Sequence, residues 1–212
     1  MSIHKALSIF SRDPPPYEPT KVTYTLPPST HDTLITCTTS SSQPSYHIPS
    51  PLTTRLQELI ISGAVPSTSS TSSSSLPRYR DVYKIMRLPF VGFQLTSGST
   101  RAQYHLVASA FQSRPKERGL VFLHTPLGNL RTGEDRPALK VKHDAIEDAV
   151  TGEVLARGFM YKTGEAEVRA LELAEGYGDD ARMRELLIAV WICGVWNSSL
   201  EMKMLARPAM LF

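Results

Sequence analysis

The chain has 212 residues, with 23 Lys and Arg against 20 Asp and Glu, a formal charge of +3 and a pI near 8.9. Domains commonly run to about 100–150 residues, so one sizeable domain with tails is expected. The cationic excess is too small to announce nucleic-acid binding, which shows as a clustered basic face, and no specific nucleic-acid partner is expected. Cys37 and Cys193 stand far apart in no CxxC spacing. That excludes a disulfide framework and a cysteine zinc site, and fits a reducing compartment.

The first segment, MSIHKALSIF, is too short and too broken for a signal peptide, and no Gly follows Met1 to accept a myristoyl group. Ile3, Ala6, Leu7 and Phe10 fall at helical spacing, so a short amphipathic turn is conceivable against an apolar partner; alone it frays, and a tail is the plainer reading. DPPPY follows at residues 13–17. Prolines at 14, 15, 16 and 19 forbid helix and favour an extended polyproline conformation. PPPY has the PPxY form of a WW-domain ligand: Pro14 and Pro15 suit an aromatic-lined groove, and Tyr17 a second pocket. A stiff linker would have the same composition.

Short β-type runs then alternate with Pro, Ser and Asp clusters: VTYTL (22–26), TLITCTT (33–39) and SYHI (45–48). In LTTRLQELIISG (52–63) the period changes. Leu52, Leu56, Leu59 and Ile60 share a helical face and Gly63 follows, which predicts a short helix; two extended turns around the β-branched pair would also fit. The tract STSSTSSSS (67–75) has nothing to bury and is expected to be a disordered inserted loop spanning 66–77.

Strand-like stretches resume at RDVYKIMRL (80–88), FVGFQLTS (90–97), AQYHLVASAF (102–111), GLVFLHTPLG (119–128) and ALKVK (138–142). The alternation in DVYKIM and QYHLVA is that of an antiparallel sheet with one wet face. DAVTGEVLARGFMYKT (148–163) turns at Thr151-Gly152, and VRALELAEG (168–176) is a further strand or short helix. At the end, Asp179 and Asp180 cap a helix in which apolar residues occupy nearly every face from Leu186 to Trp196. A helix apolar all round must be surrounded by protein or lipid. About twenty such residues are needed to span a bilayer, so this shorter run is expected to thread or cap a sheet.

A GxSxG elbow, a P-loop, a dinucleotide fingerprint and a metal-spaced histidine pair are all missing, so no catalytic residue, cofactor or metal is assigned. Ser99 in TSGST lacks a nucleophile's frame. His47, His105, His124 and His143 are isolated, the acidic pairs 147–148 and 179–180 suit a turn and a helix cap, and Trp191 and Trp196 suit a core. Charge is distributed unevenly: Arg78 to Lys142 holds twelve Lys/Arg against four Asp/Glu, and His143 to Ala181 three against ten. Arg78, Arg80, Lys84 and Arg87, with Arg114, Lys116 and Arg118, are either scattered charges on wet surfaces or a converging site for an anionic headgroup. Strict alternation would put Arg80 and Lys84 on one face.

The strand pair turning on TGEVLA, a short polar stretch, the helix ELLIAVWICGVW, and PPPYEPTKVTYTL followed by YHIPSPLTT together resemble the tubby C-terminal-like superfamily, in its LURP-one-related, scramblase-like and small fungal branches. The likeness is a pattern over roughly residues 20–200, and the Ser/Thr tract departs from it. It implies a mainly β, α+β fold, an antiparallel barrel of about twelve strands around or against a buried C-terminal helix. It also implies a non-enzymatic role with anionic membrane lipid as a partner. The expected organisation is a flexible segment at 1–20 and one tubby-like domain at 21–212, in a cytoplasmic protein peripheral on membranes. PPPY would add a WW-domain partner such as a HECT-type ubiquitin ligase. A competing resemblance covers only the first twenty residues: MSxxKxLxxF followed by PPPYE is similar to the start of vesiculovirus-like matrix proteins. It implies assembly and budding through a late motif, at host membrane and in virions.

Overall fold

The computed structural model describes residues 21–27, 33–39, 43–52, 57–65, 78–88, 92–108, 117–124, 137–142, 144–164 and 166–205. Among the described residues, twelve strands precede one helix: β1 (Val22–Leu26), β2 (Thr33–Cys37), β3 (Tyr46–Ile48), β4 (Glu58–Val65), β5 (Arg78–Leu88), β6 (Gly92–Ser97), β7 (Gln103–Ala108), β8 (Glu117–His124), β9 (Leu139–Lys142), β10 (Ala145–Asp148), β11 (Val154–Thr163), β12 (Ala166–Leu173) and α1 (Ala181–Leu205). The expectation of a mainly β, antiparallel fold with one C-terminal helix matches this architecture. Every strand pairs antiparallel with its sequence neighbours. β1 pairs with β12 as well as β2, from Val22–Leu173 to Leu26–Arg169 in the β12 ladder. The ladders around β2 and β3 are short, with Tyr24–Cys37 and Thr25–Thr36 on one side and Tyr46–Gly63 and His47–Ser62 on the other.

The helix supplies the core. Leu186, Leu187, Ile188, Ala189 and Val190 are consecutive, all are at most 5% exposed, and at 100° per residue they sample every direction around the axis. Protein must therefore lie on all sides of this stretch. Arg184 meets Tyr46 on β3, Glu185 meets Arg80 on β5, Trp196 packs on Phe93 of β6 with ring centroids 5.6 Å apart, and Trp191 lies against Gly158 of β11. A Cβ at Gly158 would come within 3.2 Å of the Trp191 ring nitrogen, so this strand passes close to the helix because it has no side chain there. Asp180 caps α1: its Oδ1 accepts from the backbone N–H groups of Arg182 at 2.9 Å and Met183 at 3.2 Å. Among the described residues no helix is long and apolar enough to cross a membrane.

One sequence-based expectation is corrected. Residues 58–65 form β4, not part of a short helix, while residues 53–56 lie outside the described set. Leu59 and Ile61 point inward and are 2% and 1% exposed, and β4 pairs with β5 along its whole length. The β-branched Ile60 and Ile61 favour that pairing, and the helical spacing of the leucines was coincidental. The 168–176 segment, left open between strand and helix, is strand through residue 173, as the greater part of β12. The Thr151-Gly152 turn is present. Asp148 Oδ1 accepts from the N–H groups of Val150 and Thr151 at 2.8 and 2.7 Å, and Gly152 takes φ 75°. These N–H donors, Thr151 first, hold the Asp148 carboxyl below its ordinary pKa. The 66–77 loop and the N-terminal segment lie outside the described residues.

Two substitutions test this packing. Trp196→Ala should cost roughly 3–5 kcal/mol in chemical denaturation, the range for emptying a large aromatic site. Gly98→Ala should also destabilise strongly, because its Cβ would strike the backbone carbonyl of Asp81, whereas Gly194→Ala, with open space around it, should be neutral or slightly stabilising through better helix propensity.

Candidate binding site

β5 carries an irregularity that shapes the end of the sheet nearest the helix N-terminus. Ile61 pairs with Tyr83 and Ser62 with Asp81, leaving Val82 as the extra residue of a bulge. Val82 and Tyr83 are consequently both buried, at 3% exposure each. The bulge also reverses the parity of the strand: Arg80 turns toward the helix, where its Nη2 meets Glu185 Oε1 at 3.2 Å, and Lys84 turns outward to Glu58 Oε2 at 2.8 Å. Arg80 and Lys84 therefore stand on opposite faces, contrary to simple alternation.

The β6–β7 turn folds over that bulge. Gly98 N–H donates to Val82 O at 2.8 Å, Ser97 N–H donates to Ala102 O at 2.9 Å, and Arg101 adopts φ 56° to complete the reversal. The turn places the hydroxyls of Ser97, Ser99 and Thr100 opposite the first turn of α1 and encloses a cleft of about 230 Å³. Tyr83 and Tyr104 form its aromatic wall, with ring centroids 6.5 Å apart, and Arg182 and Glu185 face it from the helix. Ser97 Oγ lies 3.3 Å from Ser99 Oγ and accepts from Thr100 N–H at the same distance.

The ionisable groups here are held in fixed states. Burial raises the Tyr83 phenol well above its ordinary pKa, with Tyr104 and Glu185 adding to the shift; burial likewise raises Tyr104, against the nearby Arg182. Both remain neutral at physiological pH. Glu185, 7% exposed, is compensated by Arg80. Such a cleft offers hydroxyl donors, a guanidinium and a neutralised carboxylate, which suits holding a polar ligand. Among the described residues no group of three or more His, Cys, Asp and Glu could seat a metal.

Next to it a second polar cluster anchors the helix. Arg184, 8% exposed, donates from Nε to Tyr46 Oη at 3.1 Å and from Nη1 to Gln43 Oε1 at 2.9 Å and Gly178 O at 2.5 Å. Tyr24 packs edge-on against Tyr46 at 5.8 Å, and its buried hydroxyl has no hydrogen-bond partner of good geometry among the described residues.

Of the sequence-nominated basic set, the four members whose side chains are described, Arg78, Arg80, Lys84 and Arg87, do not converge. Arg78 is exposed opposite Val65 at the end of the β4–β5 ladder. Arg87 pairs with Phe93, on the helix-facing side but about 20 Å along the strand from Arg80 at ordinary strand rise. Arg118 belongs to β8, and its side chain lies outside the described residues, as do Arg114, Lys116 and the docking residues Pro14, Pro15 and Tyr17. Lys84, Arg80 and Glu58 are engaged in ion pairs. The cleft residues Ser97, Thr100, Tyr104, Arg182 and Glu185 were not nominated; the one hint was the hydroxyl-rich turn TSGST. No family model, curated protein or solved structure matches the chain.

Tyr46→Phe should destabilise by about 1–3 kcal/mol, because it strands a buried guanidinium donor, whereas Tyr24→Phe should be neutral or stabilising, since the hydroxyl it removes is unsatisfied. Urea denaturation of the pair checks the contrast. Tyr24, Tyr46, Tyr83 and Tyr104 all have raised pKa values, with burial the first cause in each. Their folded-state contribution is fully present below the unfolded phenol's pKa of about 10. Above it the unfolded chain loses protons that the folded chain keeps, and stability falls. Denaturation midpoints should thus be flat on this account through pH 9 and decline above pH 10, less steeply in Tyr83→Phe.

Proposed function

We propose that this chain is a non-enzymatic binding protein, a tubby-like barrel closed around its C-terminal helix, with an N-terminal PPPY segment that docks a WW-domain protein such as a HECT-type ubiquitin ligase. The single observation that best supports binding over catalysis is the state of the cleft between Tyr83 and Arg182. Its phenols stay protonated and its carboxylate is neutralised by Arg80, so it presents hydrogen-bond donors without a free base. The barrel reading is supported by a helix buried on every side and by the pairing of β1 with β12.

The docking mechanism follows from chain stiffness. Proline fixes φ, so the segment loses little entropy when it enters an aromatic-lined groove, and Tyr17 fills the neighbouring pocket. Contact with anionic membrane lipid belongs to the same reading, with Arg78 exposed and in no ion pair among the described residues.

Full-length protein should bind a panel of WW domains, and Tyr17→Ala should weaken that binding by about tenfold or more, the scale of losing one well-filled pocket. Equal binding by wild type and variant in calorimetry removes the docking proposal. Sedimentation with phosphatidylserine vesicles at low and high salt tests the lipid contact separately, since a surface electrostatic attraction must weaken as salt rises. Particle release on expression, lost with Tyr17→Ala, would favour the matrix-protein reading instead.

A further inference from the structure

The geometry points to a ligand class for the cleft beside the N-terminal end of α1: we infer that it binds a small phosphate monoester bearing a free hydroxyl. This deepens the binding reading of that site and is independent of PPPY and of the basic set.

Charge sets the sign of the ligand. Arg80 and Glu185 neutralise each other at 3.2 Å, whereas Arg182, exposed on the cleft rim, has no carboxylate partner among the described residues. An anion is the species that this unpaired guanidinium can satisfy. Hydrogen-bonding capacity sets its shape. The hydroxyls of Ser97, Ser99 and Thr100 stand on the turn side, and the phenols of Tyr83 and Tyr104 on the wall. Together with the guanidinium they can donate from several directions, which matches the three acceptor oxygens of a terminal phosphate better than a planar carboxylate. Glu185, 7% exposed, takes Arg80 at Oε1, and a carboxylate has acceptor capacity beyond one bond that a hydroxyl on the ligand can use. A volume of about 230 Å³ lies below the usual range for drug-sized ligands, roughly 300–1,000 Å³, and limits the occupant to a small molecule or a headgroup.

The test titrates the full chain with glycerol 3-phosphate in calorimetry and, in a second arm, with vesicles carrying lysophosphatidic acid, which present the same phosphate monoester and a free hydroxyl on a lipid. Wild type should bind in at least one arm, and the arm identifies whether the phosphate is free or lipid-borne. Arg182→Gln should weaken that binding at least tenfold, and Tyr104→Phe, which keeps the ring and removes one donor, by a smaller factor. Arg157→Gln, exposed on β11, should leave it unchanged. Both cleft variants change groups that are not buried in the core, and a retained thermal midpoint without ligand certifies their folding. Absence of binding in both arms, or unchanged affinity in folded Arg182→Gln, overturns the assignment. If the vesicle arm is lost in Tyr17→Ala but not in Arg182→Gln, the N-terminal segment carries the contact and the cleft assignment is likewise overturned.

Discussion

A helix without a polar face is the constraint on which the rest of the molecule depends. Most surface helices bury one stripe and leave the other to water. From Leu186 to Val190 this one has no such division, and farther along Ile192, Cys193, Val195 and Trp196 are buried as well. The sheet meets it from several sides: β3, β5, β6 and β11 all contribute contacts.

Polar groups gather where the helix enters. Arg184 and Glu185 are adjacent on α1 but serve different neighbours. Arg184 is buried against Tyr46, Gln43 and Gly178, and Glu185 reaches Arg80. Burying a guanidinium is costly unless its donors are used, so this cluster favours one depth and rotation of the helix over others. The bulge at Val82 is its counterpart in the sheet, since it turns Arg80 inward and lets the Gly98 turn close over Tyr83. Cleft and helix anchor are therefore two sides of the same junction.

Much of this was legible in the sequence. Alternation in DVYKIM and QYHLVA, the Thr151-Gly152 turn and the unbroken apolar run each have a local physical cause, and each marks the element that is present. β4 was misread because Leu52, Leu56, Leu59 and Ile60 happen to recur at helical spacing, while the pairing with β5 that decides the matter lies about twenty residues away. The bulge had a faint signal, adjacent apolar Val82 and Tyr83 inside an otherwise alternating strand. The cleft had almost none. It joins Tyr83, the 97–102 turn and the start of α1, and its components are ordinary serines, tyrosines and one arginine whose significance exists only after the chain has folded.

The order of these elements along the chain carries a kinetic consequence. All twelve strands are synthesised before the helix that fills them, and the first must find the last across the Val22–Leu173 pairing. Until α1 has emerged from the ribosome, the inward faces of Leu59, Ile85, Leu95 and Leu171 have nothing to cover them. Loop closure over such a span precedes the contacts that reward it, which makes folding slow and the nascent sheet prone to association. Reliance on chaperones should accordingly be greatest in the interval between synthesis of β12 and synthesis of the helix.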